Sequence, residues 1–281
     1  PPNACPPPPR PACPRAAAHP GLSPRVGVST IADSLQETDH RPWAMPTRAW
    51  AMAMSWHDLL FAHWEVDPEA LGRALPDPLT PDLFEGRAYV GIVPFRMTGV
   101  RGRFLPPVPG CGAFPELNVR TYVTVGGKPG VYFFSLDATC TLAIEAARRT
   151  FGLNYLKARM ACVREGDSVT YACTRRDRRA PPAEFRATYS ATSEPFRAEP
   201  GSLEHFLTER YALYTVTRGV VRRGEIHHPA WPLRRAEAEI VSNDMTRLLG
   251  LELGGPPASL LFADRVDVPA WLPVRVREEN A

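Results

Sequence analysis

The sequence predicts an α+β fold that is mostly β, and three observations predict it. Segments in which apolar and polar residues alternate, as in strands with one buried face, recur along most of the chain. Short Gly- and Pro-containing turns separate them, as antiparallel neighbours require. Helical patterns are few and short, and they do not alternate with strands as the crossovers of a parallel sheet would. An antiparallel sheet or barrel with a few short helices satisfies all three.

Of 281 residues, 44% are hydrophobic, enough for one sizeable core or two small ones. Residues 1–39 stand apart. PPNACPPPPRPACPR is too rich in proline to build a helix or sheet interior, and disorder is expected for this tail. The domain is expected to span residues 40–273, with a short C-terminal tail at 274–281.

Taken in order, WHDLLFAHWEV from Trp56 reads as a buried strand. Asp67 and Pro68 then open a short helix to Ala74, as N-cap and first helical residue. Arg87–Met97 reads as a strand in which Pro94 implies an edge or a bulge, and Gly102–Gly112 as a loop. Glu116–Val125, the turn GGKPG and Val131–Ala138 form a hairpin. Leu142–Thr150 reads as a helix that Gly152 ends. Strands follow at Tyr155–Arg164, Val169–Cys173, Glu184–Ser190, Tyr211–Arg218, Glu237–Val241 and Leu260–Val268. Short helices fit Leu203–Glu209 and Asp244–Leu249.

Charge and motifs exclude several function classes. The net charge is only +3, and the densest basic run, Arg175–Arg179, reads as a solvated loop, so no nucleic-acid partner is expected. No run of about 18 apolar residues is present, so no membrane partner is expected. The six cysteines show no C-x-x-C or zinc spacing, and a reduced, cytoplasmic protein is expected. No metal site or cofactor is expected: H-E-x-x-H, Walker, G-x-G-x-x-G and G-x-S-x-G patterns are all missing. His57 and His63 read as structural histidines on one strand face with Leu59 and Phe61. Of His227 and His228, one could approach a cavity while the other sits in its wall. The only lysines are Lys128 and Lys157, which restricts amine chemistry to two positions.

The candidate site begins with the phase of one strand. Alternation places Glu116, Asn118, Arg120 and Tyr122 on one face and Leu117, Val119, Thr121 and Val123 on the other. Either the polar face is solvated, or it lines a cavity in a closed barrel. In the second case a carboxylate, an amide and a guanidinium, roughly 7 Å apart along the strand, would grip different parts of one small organic acid. Tyr155, Lys157 and Arg159 share a face in the same way.

FPELNVRTYV, KPGVYFFSLDA and ARRTFGLNYLKARM resemble the YqjF-like bacterial proteins of unassigned function, as do LLFAHWEVD, VPFRM, LTERYALY and EIHHPAWPL. More distantly, the chain resembles acetoacetate decarboxylases. The resemblance implies an antiparallel β-barrel or cone with an interior cavity. Glu116 matches the glutamate of that superfamily's E-L motif, Arg148 its helix arginine and Gly152 its motif glycine. Tyr155 and Leu156 stand where the decarboxylases carry the Schiff-base lysine and the second lysine that lowers its pKa. A tyrosine cannot form an iminium, so ordinary decarboxylase chemistry is not expected. Lys157, two residues on, is the remaining amine candidate.

The expected function is thus an enzyme or enzyme-like pocket acting on a carbonyl or carboxylate compound. Glu116, Tyr155 and Lys157 are the candidate catalytic groups, and Arg120, Asn118, Arg96 and Arg148 the candidate substrate-binding groups. The alternative is a non-catalytic sensor or carrier on the same barrel. A homo-oligomer formed through strand edges is a third option.

Overall fold

The computed structural model describes residues 31–107 and 109–276. Most of the Pro-rich segment, residues 1–30, lies outside them, as do residues 277–281. Eleven strands carry the fold: β1 (Met52–Val66), β2 (Ala88–Gly102), β3 (Ala113–Val125), β4 (Lys128–Ala138), β5 (Tyr155–Glu165), β6 (Ser168–Arg175), β7 (Glu184–Ala191), β8 (Ala212–Thr217), β9 (Val220–Ile226), β10 (Leu233–Asn243) and β11 (Ser259–Arg275). The helices are α1 (Ile31–Ser34), α2 (Pro68–Ala74), α3 (Thr141–Phe151) and α4 (Leu203–Thr208), with a 3₁₀ turn at Met245–Leu249.

Local chemistry sets the boundaries. Asp67 accepts the amide of Ala70 at 2.7 Å and starts α2. Gly152, at φ 67°, stops α3 in the left-handed region. The β3–β4 hairpin turns on Gly126 and Gly127 alone, both with positive φ, so the turn is two residues rather than GGKPG.

The sheet forks rather than ending. Its order is β1-β2-β3-β4-β5-β6-β7-β10-β11-β9-β8, with β1 also paired to β11 and β4 to β8. Strands β1, β2, β3, β4, β8, β9 and β11 therefore close a seven-stranded ring. Strands β5, β6, β7 and β10 form a second layer against its outside. Among the described strands, β5 beyond Lys157, β10 beyond Arg235 and residues 215–217 of β8 each have a single neighbour.

This forked layout buries both faces of β3. Leu117, Val119 and Val123 pack with Val169, Tyr171, Phe185 and Tyr189 of the second layer, while the polar face turns into the ring. A solvated outer face, one of the two options that alternation left open, is not what forms.

Two bulges tune the inner wall. In β1 the register slips between His57 and Ala62, around Asp58 at φ 56°. The slip inverts the alternation, so Met52, Met54 and Trp56 face inward before it and Leu59 and Phe61 after it. His57 consequently leaves the face of Leu59 and Phe61 and bonds Thr98 at 2.8 Å instead. Pro94 lies opposite this slip, within β2 and between two strands, so its signal was that of a bulge and not of an edge. In β4, Phe134 is the extra residue between Phe133 and Ser135, which lets both Phe133 and Leu136 face the ring interior.

The segment before residue 40 contributes to the packing. Ser34 is buried, and its carbonyl meets Nε2 of His227 at 2.7 Å. The expectation of free thiols also needs correction. Cys111 and Cys140 are joined by a disulfide, with Cα atoms 5.6 Å apart, while Cys162 and Cys173 are free. The pairing unites the loop before β3 with the start of α3, a juxtaposition that a 29-residue separation without a motif does not announce.

Gly130 is the residue that lets β8 close the ring against β4. A Cβ there would meet the carbonyl oxygen of Ala212 at 2.6 Å and the ring of Tyr214 at 2.7 Å. Gly130→Ala is expected to destabilise the fold by about 1–3 kcal/mol, the usual range for overpacking. Urea denaturation measures this, and an unchanged midpoint would contradict the close approach.

Candidate functional site

The ring encloses a cavity of about 110 Å³. Glu116, Asn118 and Arg120 line it from β3, and Tyr155 from the first position of β5. Apolar side chains make up most of the remaining wall, including Met54, Trp56, Phe61, Phe95, Phe133 and Trp231, and α3 adds Ala147 and Phe151.

Glu116 is buried and accepts a hydrogen bond from the Tyr155 hydroxyl at 2.7 Å on Oε2. No described group bonds its other oxygen. Burial pushes the carboxyl up to about 8; the Tyr155 bond pulls the other way, and the charge of Asp137 adds to the rise. At neutral pH the site thus holds a carboxylic acid that can donate a proton. Tyr155 is itself held well above its ordinary value by burial and by Glu116, so it acts as a hydrogen-bond donor and not as a phenolate.

Arg120 supplies positive charge. Its Nη2 donates to the Leu207 carbonyl at 2.9 Å and to the Tyr122 oxygen at 3.3 Å, and its guanidinium lies 5.3 Å from the centre of the Phe61 ring. Its buried Nε has no partner. Among the described residues it has no carboxylate, unlike Arg210, which also lines the cavity but pairs with Asp82 at 2.8 Å. Tyr122 lies behind Arg120, donating to Leu207 at 2.8 Å and meeting Nε2 of His63 at 2.6 Å. Since the tyrosine proton goes to the carbonyl, His63 donates through Nε2 and is neutral. Burial and the Arg120 charge hold its pKa well below the usual imidazole range.

Three sequence-predicted residues do not converge here. Lys157 is exposed, and its amide bonds Asp177 at 3.1 Å. It shares a strand face with Tyr155, but β5 leaves β4 at Lys157 to run with β6, and that face then meets solvent. Arg96 pairs with Asp58 at 3.1 Å on the outer side of the β1 slip. Arg148 pairs with Glu145 at 3.5 Å and lines a separate depression with Gly152, Asn154 and Thr215. No group of three or more His, Cys, Asp or Glu among the described residues is placed to hold a metal.

Residues 53–267 match the family DUF2071, described as an uncharacterized conserved protein. The chain belongs to this family. Uncharacterized protein YqjF of Bacillus subtilis strain 168 is 44% identical over 228 residues, which cover 81% of this chain and 93% of that protein. Acetoacetate decarboxylase from Legionella pneumophila superposes with a TM-score of 0.58 at 15% identity, covering 92% of this chain and 100% of that one. An acetoacetate decarboxylase-like enzyme from Sphingomonas wittichii RW1 superposes at 0.56 with 13% identity, covering 84% and 99%. At such identities the likeness is one of fold, and it bears out the β-barrel with an interior cavity that the resemblance implied.

Sequence reasoning missed several lining residues of this DUF2071 domain. Thr208 ends α4, Arg210 follows it, and Trp231 lies between β9 and β10. Arg210 is held in a buried ion pair with Asp82. For His228 the only signal was the phase of an adjacent histidine pair. His227 takes the wall position, bonding Ser34, and His228 reaches the cavity.

Proposed function

We propose that the cavity is an enzyme-like site for a small carbonyl or carboxylate compound, worked by acid/base chemistry without a Schiff base. Arg120 holds the negative group, Glu116 donates or takes the proton, and Tyr155 hydrogen-bonds the carbonyl or enol oxygen. Reaction classes compatible with these groups are decarboxylation, dehydration or another lyase or isomerase step through an enol. The observation that carries this reading is the meeting, in one cavity, of a buried carboxyl group bonded by Tyr155 with a guanidinium that has no carboxylate partner among the described residues. The names of two structural neighbours, an acetoacetate decarboxylase and an acetoacetate decarboxylase-like enzyme, support it.

Calorimetric titration with a panel of 2-keto and 3-keto acids tests it. Arg120→Met is expected to weaken the best ligand by about ten- to a hundredfold, the worth of a charge-assisted hydrogen bond. Equal affinity would remove Arg120 from the anion site. Borohydride trapping with the same acids is expected to leave the protein mass unchanged, because Lys157 lies outside the cavity. A second reading, a non-catalytic sensor or carrier, is favoured by the lack of any lysine among the lining residues. It predicts saturable binding with no product.

A further inference from the structure

His228 presents a hydrogen-bond acceptor to the cavity. Its Nδ1 lies 2.8 Å from the Pro229 carbonyl. A carbonyl only accepts, so Nδ1 carries the proton and Nε2 carries the lone pair. No described residue bonds Nε2. The ring cannot readily turn, because Tyr211 stacks on it at 4.6 Å and Trp231 lies against it at 4.7 Å. The groups around it keep it neutral. Burial depresses its pKa to about 4; Glu209, bonded to Tyr211 and to the Trp231 amide, opposes this, while His40 and Arg41 add to it.

Asn118 shares the polar wall of the same cavity, but its Oδ1 is shielded and does not open onto the space. To meet Nε2 of His228, a ligand that fills this space must bring a hydrogen-bond donor as well as an anion. An ammonium does not suit it. The sole acid among the described lining residues is Glu116, whose carboxyl burial pushes up to about 8, and Arg120 adds a positive charge with no carboxylate partner among the described residues. A neutral hydroxyl meets these conditions. Size limits the rest of the ligand: an apolar cavity of roughly 150 Å³ holds benzene, and this one is about 110 Å³.

We propose that the cavity takes a small hydroxylated monocarboxylate with a short aliphatic body, its carboxylate paired with Arg120 and its hydroxyl donating to Nε2 of His228. This rests on the anion site proposed above and adds to it the group that selects the ligand. The acid/base pocket then works on a hydroxy acid, with His228 as a binding residue on the wall formed between β9 and β10.

Two matched pairs of acids test it: 2-hydroxypropanoate against propanoate, and 3-hydroxybutyrate against butyrate. Fluorescence of Trp56 and Trp231, both in the cavity wall, reports binding. The wild-type protein is expected to prefer the hydroxylated member of at least one pair by about tenfold or more, because losing a partner for a buried polar group is costly. His228→Phe keeps an aromatic ring between Tyr211 and Trp231 but has no acceptor, and it should erase that preference while the deoxy acid binds as before. Absence of a preference in wild type, its survival in His228→Phe, or failure of all four acids to bind at millimolar concentration would overturn the proposal. Should His228→Phe not fold, the ¹⁵N resonance of His228 Nε2 in wild type decides. It should shift with the hydroxylated acid and not with its deoxy partner, and no shift overturns the proposal. Arg120→Met separates this outcome from failure of the anion site. Equal binding of both members, lost in Arg120→Met, sinks the hydroxyl inference alone. A hydroxyl preference that Arg120→Met leaves intact, with affinity unchanged, sinks the anion site alone.

Discussion

Glu116→Gln is expected to make the protein more stable than wild type above pH 8 while lowering turnover of a carbonyl acid at least about a hundredfold. The stability arm follows from linkage. The folded-state pKa of Glu116 is raised from 4.5 to about 8, chiefly by burial. The folded state therefore binds the proton more tightly than the unfolded chain. Its contribution is fully present below pH 4.5 and is lost as pH rises through about 8, at about 1.4 kcal/mol per pH unit. Across that window the loss is on the order of 5 kcal/mol. Glutamine carries no proton to lose and can still accept from Tyr155. His227 and His228, both depressed to about 4 by burial, act in the opposite sense between pH 4 and 6.5, so the measurement that matters is the difference between variant and wild type. Urea denaturation from pH 4 to 9 should show that difference widening with pH. If the two proteins track in parallel, Glu116 is not a neutral acid in the folded state. The activity arm follows from removing the proton donor, whose contribution in acid/base catalysis is about 10²–10⁴.

The polar wall was legible in the sequence because a strand's period is simple. Glu116, Asn118 and Arg120 could be assigned to one face without knowing what lay opposite, and the structure keeps that phase. The ends of α2 and α3 were legible for a similar reason: Asp67 with Pro68, and Gly152, act through local backbone chemistry. Less legible was everything that depends on where a strand goes next. Lys157 and Tyr155 obey the same alternation, yet β5 leaves β4 for β6 at Lys157 and the commonality of face loses its meaning. The slip at Asp58 inverts β1 and separates His57 from Leu59, and nothing near Asp58 marks it except Pro94 on the neighbouring strand. The forks at β4 and β11, which turn a sheet into a ring, arise from pairings between segments far apart in sequence. The lining residues missed for this reason, Thr208, Arg210 and Trp231, come from connections between strands.

The same distinction between local and distant information applies to Arg175, whose place in RRDRR reads as solvent. Arg175→Met is expected to destabilise the fold by about 3–5 kcal/mol, the cost of leaving one member of a buried ion pair alone. Only the C-terminal part of that run forms an exposed loop. Arg175 ends β6 and crosses β5 to reach Asp137 on β4, donating from Nε and Nη2 at 2.9 and 2.7 Å, with a further bond to Ser135 at 3.0 Å. Both side chains are fully shielded from solvent. Ala158, the residue of β5 paired with Arg175, is small enough to let the long side chain pass. Burial raises the Asp137 pKa and the Arg175 bonds oppose the rise, so methionine in place of Arg175 removes what favours the charged form. Part of the cost can then be relieved by protonation of Asp137, and the defect should be smaller at pH 5 than at pH 8. The companion variant separates charge from packing. Asp137→Leu together with Arg175→Met replaces the pair by apolar groups, and such replacements are often neutral or stabilising. Recovery of most of the lost stability in the double variant would show that the penalty lay in the stranded carboxylate. A double variant as unstable as Arg175→Met alone would show instead that the pair's geometry holds β4, β5 and β6 in register. In that case cavity binding should fall too, because Leu136 and Tyr155, paired across β4 and β5 beside Asp137, both line the cavity.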